Sequence, residues 1–411
     1  MRSFLDMTTV DAPSVMVIVG IAALAGILVL AISPKLAIPL VAVELLLGIL
    51  IGPQVLDIAK IDSTTKFFSE IGLAVLFFFV GYEIDFERVK GKPLKLGMIG
   101  WALSLVLAYG LGGILAAAGV VVSYLYTGSA MATSAMGTLI PILRDSGELR
   151  TKFGTYLLAA GGMGEFGPIL LVTLILSTTN PLHEALILVA FVAVAVITGL
   201  AAVRSAFHGW PPLERTLETS SQLAVRLAVV LVFGLVALAA ELGLDVLLGG
   251  FVAGMITRLA LKDREVGVLE SKLTAVGYGL LIPFFFITSG MEFDLDALTS
   301  SATAVLEMLM FVPLFLVVRG LPQLLLYRKQ IPALRDRAAL ACFASTQLPL
   351  VVAITSIAVE QGHMRPDTSA GLVGAAILST LIFPLVALKL RRDSETRPGS
   401  GADPEPLAQS A

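Results

Sequence analysis

Apolar residues along this chain fall into long runs that are separated by short polar stretches. A run of about 20 apolar residues is long enough to cross the roughly 30 Å of bilayer hydrocarbon as a helix. The pattern predicts an all-α polytopic membrane protein with about thirteen transmembrane helices. Their predicted ranges are 13–32, 36–52, 66–83, 93–117, 119–143, 153–176, 184–206, 222–242, 245–260, 272–291, 302–326, 337–359 and 368–388.

The composition supports a membrane protein and argues against several kinds of site. The chain is 57% hydrophobic and only 14% charged, whereas a soluble domain carries about 25% charged residues. Its one cysteine, Cys342, excludes a disulfide within the chain. His183, His208 and His363 fall at predicted loops or helix ends, which argues against a histidine metal site. We expect no cofactor, no enzyme activity and no binding of nucleic acid.

The distribution of basic residues predicts the orientation in the membrane. When the N-terminus is placed outside, most of the 28 lysines and arginines fall on the cytoplasmic side, as the positive-inside rule requires. We therefore expect a multi-pass protein of the cell (inner) membrane with a cytoplasmic C-terminus. Residues 1–390 are predicted to form the transmembrane domain, and the polar residues 391–411 a disordered cytoplasmic tail.

Two stretches of the chain resemble each other. "LLLGILIGP" (45–53) precedes "GLAVLFFFVGYEIDF" (72–86), and "LLGGFVAGM" (247–255) precedes "GLLIPFFFITSGMEFDL" (279–295). Each pair contains glycines four residues apart, then three phenylalanines, then a glycine and acidic residues. The units are seven predicted spans apart, an odd number, so they have opposite orientations in the bilayer. Inverted repeats are typical of secondary transporters, although glycine pairs also occur wherever membrane helices pack closely.

The same shift relates two further spans that hydroxyl residues interrupt. Thr133 and Ser134 lie in "GSAMATSAMGTLIP" (128–141), and the matching Ser345, Thr346 and Gln347 lie in "ACFASTQLPL" (341–350). The matched pattern favours two broken helices whose exposed backbone ends face a cavity. The alternative is a pair of intact helices whose hydroxyls bond to the preceding turn.

Ionisable residues within the spans are the candidates for transport chemistry, because a charge at the bilayer centre is costly. Glu165 lies near the middle of its span in "GGMGEFGPIL" (161–170), where glycines allow a neighbour to approach. Arg319 is deep in another span, and Glu165 is its natural carboxylate partner. The alternative is a purely structural salt bridge between them. Glu44 is a secondary candidate, either a structural acid or part of the pathway.

These features together resemble the monovalent cation:proton antiporter-2 family, the bacterial sodium/proton and potassium/proton exchangers. The resemblance covers essentially residues 10–390, and the pieces that carry it occur in the family's order. They are "ELLLGILIGP" (44–53), "GLAVLFFFVGYEIDF" (72–86), "TSAMGTLIPILRDSGELRTKFG" (133–154), "LGGFVAGM" (248–255) and "FFFITSGMEFDL" (284–295).

The resemblance implies a sodium/proton antiporter fold with inverted repeats, two broken crossing helices and a homodimeric assembly. It implies that Glu165 carries the ion and the proton, and that Arg319 is its charge partner. It also implies that Thr133–Ser134 and Ser345–Gln347 form the two crossing segments. The chain departs from the family in having Glu165 where relatives have aspartate, and Gly164 where they often have asparagine or aspartate. One acid with one arginine resembles the electroneutral members.

The sequence therefore predicts an antiporter that exchanges Na⁺ or K⁺ for protons through a carboxylate at the membrane midplane, with Thr133 and Ser134 of the first break as further ion-binding residues. Three other functions stay open at this point. The chain could form a channel-like potassium efflux protein, could carry an organic or anionic solute with Arg319 as the counter-charge, or could be a non-transporting membrane sensor or partner subunit.

Overall fold

The structure is a computed structural model, and it describes residues 12–32, 39–83, 86–175, 181–207, 219–244, 246–261, 267–299 and 302–395. Nineteen α-helices run through these ranges. They are α1 (Ala12–Ile32), α2 (Leu40–Ile51), α3 (Ser63–Glu83), α4 (Phe86–Val89), α5 (Lys92–Ala117), α6 (Tyr124–Met131), α7 (Met136–Asp145), α8 (Lys152–Ile175), α9 (Pro181–Phe207), α10 (Leu223–Glu241), α11 (Val246–Ala260), α12 (Gly267–Val276), α13 (Ile282–Met291), α14 (Leu295–Thr299), α15 (Ala302–Phe315), α16 (Leu321–Leu326), α17 (Leu334–Ala344), α18 (Pro349–Glu360) and α19 (Pro366–Glu395).

Two long helices contain a wider turn. A π-helical segment, Gly277–Leu281, joins α12 to α13, and a second, Leu316–Gly320, joins α15 to α16. Single π-turns inside α-helices occur frequently at functional sites. The second segment contains Arg319, so the buried arginine lies at a local change of helical register.

The structure contains fewer helices that can cross a membrane, as judged by length and hydropathy alone, than the thirteen predicted from the sequence. Seven helices of the described ranges are long and apolar enough to cross a bilayer, and α17 with α18 makes an eighth if the bent pair is one span. The count of about thirteen is thus not confirmed. Several predicted spans are represented here by shorter apolar helices, among them α2 and stretches of α9 and α11.

The helices pack as two bundles. We call α1–α3 together with α9–α13 the scaffold bundle, and α5–α8 together with α15–α19 the site bundle. Within the scaffold bundle α11 packs on α3, α9 and α10, and within the site bundle α19 packs on α15, α17 and α18. Contacts between the bundles include those of α3 with α7 and of α2 with α19. The broken helices both belong to the site bundle.

The packing of the scaffold bundle supports the internal repeat. A Cβ atom on Gly48 of α2 would lie 2.2 Å from the carbonyl oxygen of Ile287 on α13. A Cβ on Gly250 of α11 would lie 2.3 Å from the carbonyl oxygen of Ala74 on α3. The first helix of each unit therefore packs, glycine against backbone, on the second helix of the other unit. This exchange is what a two-fold relation between the units produces.

At the C-terminal end, α19 continues to Glu395, past the predicted domain boundary at residue 390. Arg391 forms ion pairs with Glu148 (2.6 Å) and Asp336 (3.0 Å). These contacts tie α19 to the start of α17 and to the turn that follows α7. The predicted tail from residue 396 onward lies outside the described residues.

Candidate functional site

The two broken helices of the site bundle cross at their breaks. The first helix ends as α6 at Met131 and resumes as α7 at Met136. The second ends as α17 at Ala344 and resumes, after a bend of 40°, as α18 at Pro349. The backbone N–H of Ala135 donates to the carbonyl oxygen of Thr346 at 2.8 Å, which joins the two breaks directly. The prediction of broken helices over intact ones agrees with this arrangement.

Side chains from both breaks complete the crossing. The Ser134 hydroxyl donates to the carbonyl oxygen of Ala344 (2.5 Å). The Gln347 amide donates to the carbonyl oxygen of Met131 (2.9 Å), and the Thr133 hydroxyl lies 3.2 Å from the Gln347 amide oxygen. Each half-helix that ends at the crossing thus has one of its last carbonyl groups bonded by a side chain of the other break.

Not every hydroxyl at the crossing bridges the helices. Ser345 and Thr346 donate to carbonyl oxygens of the preceding turn of α17, as in the alternative considered for intact helices. The backbone of Gln347 instead is bonded by α19, because the hydroxyls of Ser379 and Thr380 lie 3.2 Å and 3.1 Å from its backbone carbonyl oxygen. The contribution of α19 was not predicted, although "LSTL" at 378–381 places two hydroxyls in an apolar span.

Glu165 lies next to the first break, on α8, and its side chain is completely buried. One carboxylate oxygen, Oε2, accepts the backbone N–H of Met136 at 3.1 Å, in the first residue of α7. The other oxygen, Oε1, has no hydrogen-bond partner in the described structure. A helix N-terminus attracts negative charge, so the backbone N–H groups of Met136 and Gly137 at the start of α7 both favour the ionised carboxylate.

Three glycines around Glu165 leave space that side chains of other segments fill. A Cβ on Gly161 would lie 2.0 Å from the sulfur of Met136, and one on Gly167 would lie 2.2 Å from the indole ring of Trp101. A Cβ on Gly164 would lie 2.1 Å from Nη2 of Arg319 and 2.6 Å from Oγ of Ser134. The space beside Gly164 is therefore filled by the arginine, which explains why no side chain stands at this position.

Arg319 is also completely buried, and its guanidinium is held by neutral groups. Nε and Nη2 donate to the Ser134 hydroxyl oxygen at 3.0 Å and 2.7 Å. Nη2 also donates to the carbonyl oxygen of Ala160 (3.0 Å), and Nη1 donates to the Ser104 hydroxyl oxygen (3.3 Å). The arginine thereby joins α5, α8 and the first break.

Glu165 and Arg319, which the sequence predicted as charge partners, form no direct ion pair in the described structure. No carboxylate of the described residues lies within ion-pair distance of Arg319, and Glu165 bonds to backbone instead. Arg319 packs against Gly164, the neighbour of Glu165 in the chain, and contacts the break through Ser134. Hydroxyl and carbonyl oxygens replace the carboxylate as acceptors, and the role of Ser104 was not predicted.

Glu44 is not part of the crossing. It is buried in α2, a helix that packs on α1 and α13 of the scaffold bundle and also contacts α19 of the site bundle. It takes part in none of the hydrogen bonds that join the two breaks in the described structure. The geometry therefore favours Glu165 over Glu44 as the carboxylate of the crossing.

Comparison with known proteins assigns the chain to a family. Residues 19–388, most of the chain, match the family described as "Sodium/hydrogen exchanger, transmembrane". The chain belongs to the sodium/hydrogen exchanger family. Two relatives of this exchanger family are a putative Na⁺/H⁺ antiporter, YjbQ, of Bacillus subtilis and the Na⁺/H⁺–K⁺ antiporter GerN of Bacillus cereus.

The similarity to these relatives is long but distant. The chain is 25% identical to YjbQ over 382 residues, which cover 88% of this chain and 60% of that protein. It is 23% identical to GerN over 367 residues, which cover 86% of this chain and 90% of that one. The chain thus spans less than two thirds of the length of the B. subtilis protein.

A solved structure supports the exchanger fold. The sodium proton antiporter MjNhaP1 from Methanocaldococcus jannaschii matches with a TM-score of 0.64 and 20% sequence identity. The match covers 93% of this chain and 97% of that one. The fold class predicted from the sequence, an all-α antiporter fold, is confirmed by this likeness. The family and its structural neighbour are ion transporters rather than enzymes.

Proposed function

We propose that this protein is a secondary antiporter that exchanges a monovalent cation, Na⁺ or K⁺, for protons, with Glu165 as the group that carries both. The observation that supports this most is the environment of the carboxylate. Glu165 is completely buried, Oε2 is fixed by the N–H of Met136, and Oε1 has no partner in the described structure. Family membership and the names of the relatives support cation/proton exchange in general.

The arrangement makes proton and cation binding mutually exclusive. A buried carboxylate is costly unless it is neutralised, and either a proton or a cation at Oε1 would neutralise it. The N–H of Met136 can stay bonded to Oε2 in both cases, so the side chain need not rotate. Exchange of one ion for the other then requires only that Glu165 faces each side of the membrane in turn.

Arg319 has a structural part in this proposal. Its charge is fixed by Ser134, Ser104 and the carbonyl oxygen of Ala160, so it braces the first break without taking the place of the cation. One carboxylate then carries one charge of either kind. We therefore propose electroneutral exchange of one cation for one proton.

The contacts of Arg319 also argue against transport of an anionic solute. An anion would need several free donors, whereas four of the five N–H groups of this guanidinium donate to oxygens of the protein. A non-transporting sensor would need neither the crossing breaks nor a buried carboxylate with one oxygen unsatisfied. Both functions are therefore less well supported than cation/proton exchange.

The route of the cation is proposed to run between the two bundles. Phe166, the neighbour of Glu165, packs on Phe251 of the scaffold bundle, and Gly137 packs on Leu76 of α3. Glu165 therefore lies at the edge of the site bundle. We further propose that the site bundle moves against the scaffold bundle, as in an elevator, and that the protein works as a homodimer. Location in the cell (inner) membrane and the orientation with a cytoplasmic C-terminus are proposed as predicted from the sequence, whereas the transmembrane domain is proposed to include α19 to its end at Glu395.

Purified protein in liposomes tests the proposal. With a pH-sensitive dye inside, addition of Na⁺ or K⁺ outside should move protons for the wild type, and Glu165→Gln should abolish the signal. Glu44→Gln should retain it, since Glu44 lies outside the crossing. The proposal fails if Glu165→Gln, folded as judged by gel filtration, still couples cations to protons, or if only Glu44→Gln loses the coupling.

A further inference from the structure

The half-helix α7 has functional contacts at both of its ends. At its start, the N–H of Met136 holds the Glu165 carboxylate. In its last turn lies Arg144, whose side chain is partly buried and points across the bundle boundary. A helix of this length spans about 15 Å, with about 1.5 Å for each residue. This short helix therefore connects Arg144 to the N–H that binds the carboxylate, although Pro141 in its interior lacks the N–H for one helical hydrogen bond.

The partners of Arg144 all belong to the scaffold bundle. It forms an ion pair with Glu83, the last residue of α3, and Nη2 lies 3.7 Å from Oε1 of Glu270 on α12. Nη1 lies 3.3 Å from the hydroxyl oxygen of Thr274. The guanidinium carbon lies 5.9 Å from the ring centroid of Tyr278. One arginine of the site bundle therefore contacts two helices of the scaffold bundle.

The scaffold residues form a continuous receiving surface. Glu270, Thr274 and Tyr278 are four residues apart, which places them on one face of α12 and the π-helical segment that follows it. Together they offer a carboxylate, a hydroxyl and an aromatic face. A guanidinium can use all three at once, through an ion pair, a hydrogen bond and a cation–π contact.

The degree of burial suits a contact that opens and closes. The side chains of Arg144, Glu83 and Glu270 retain 25%, 14% and 30% exposure. Water can therefore solvate the charges when the bundles separate, at far lower cost than for a fully buried pair. In contrast, the Arg319 contacts are completely buried within the site bundle and tie its own helices together.

We propose that Arg144 is a positioning residue that holds α7, and through it the Glu165 site, against the scaffold bundle on the side where α3 ends. The inference rests on the proposed antiport function. Loss of the contact shifts the population toward the state that opens on this side. A binding-competent state that is more populated binds with a higher apparent affinity, and the apparent affinity on the opposite side falls. The ratio of the two affinities changes by the same factor as the equilibrium constant between the states.

Sided transport measurements test the role of Arg144. Arg144→Gln should change the ratio of the half-saturating cation concentrations on the two faces by about tenfold, as expected for a typical coupling between states. Lys152→Gln is the matched control, because it removes an exposed basic residue close in sequence. Glu83→Gln, which removes the ion-pair partner on α3, should change the ratio in the same direction as Arg144→Gln. Equal effects of Arg144→Gln and Lys152→Gln, or opposite effects of Arg144→Gln and Glu83→Gln, would overturn the proposal.

Amide hydrogen exchange gives a second readout that does not depend on transport. Arg144→Gln should speed exchange in α12 and at the end of α3, whereas Lys152→Gln should not. If the wild type fails to exchange cations for protons, the proposed function is wrong, and the hydrogen-exchange comparison alone decides whether Arg144 joins the bundles. Unchanged exchange in both segments would refute the contact itself.

Discussion

Gly164→Ala is the most revealing small change at the crossing. The added Cβ would lie 2.1 Å from Nη2 and 2.7 Å from Cζ of Arg319, and 2.6 Å from Oγ of Ser134. All three atoms belong to fully buried side chains that hold one another. Overpacking of this kind costs about 1–3 kcal/mol, and each weakened hydrogen bond to the guanidinium adds about 1.5–3 kcal/mol. The better helix propensity of alanine returns only about 1 kcal/mol.

The prediction is a lower midpoint of thermal unfolding for Gly164→Ala in detergent, followed by a fluorescent dye. Gly110→Ala is the matched control, because Gly110 lies in the interior of α5 and a Cβ there would meet no atom within 4 Å. That control should leave the midpoint unchanged or raise it. Equal midpoints for the two variants would refute the account of Gly164 as the space that Arg319 occupies.

Three further substitutions test other contacts of the site bundle by the same unfolding assay. Gln347→Leu removes the bond to the carbonyl oxygen of Met131 and should cost about 1–3 kcal/mol; an unchanged midpoint would contradict its bridging role. Arg319→Lys keeps the charge but loses the planar guanidinium that reaches several oxygens at once. It should lower the unfolding midpoint and slow cation/proton exchange, and a fully active variant would contradict the bracing role. Arg391→Gln breaks the pairs with Glu148 and Asp336 and should cost about 2 kcal/mol, with little change in cation affinity if the contact is only structural.

The features that the sequence predicted best are those with a repeated pattern. The glycine pairs of α2 and α11 indicated close packing, and the structure places them against backbone carbonyl groups of the opposite repeat unit. The hydroxyl-rich segments around Ser134 and Gln347 indicated breaks, and the breaks lie there. Each of these predictions rested on two matched segments. A pattern that occurs twice in the same order is less often due to chance than a pattern that occurs once.

Predictions of single contacts were less successful, for a physical reason. Depth in the membrane can be estimated from position along a span, and it brought Glu165 and Arg319 to a similar level. It says nothing about which helix faces lie together. The structure turns Arg319 toward Gly164 and Ser134, and its charge is solvated by neutral oxygens, including that of Ser104 on a helix with no sequence signal for this role.

The central claim is that a proton and a cation compete for one carboxylate, and proton release on cation binding tests it most directly. Purified protein in weakly buffered detergent solution is titrated with Na⁺ or K⁺ while a dye reports pH, at a pH where the site is still protonated. The account predicts release of up to about one proton for each cation bound by the wild type, and no release from Glu165→Gln. Cation binding without proton release by the wild type, or unchanged release from Glu165→Gln, would contradict it.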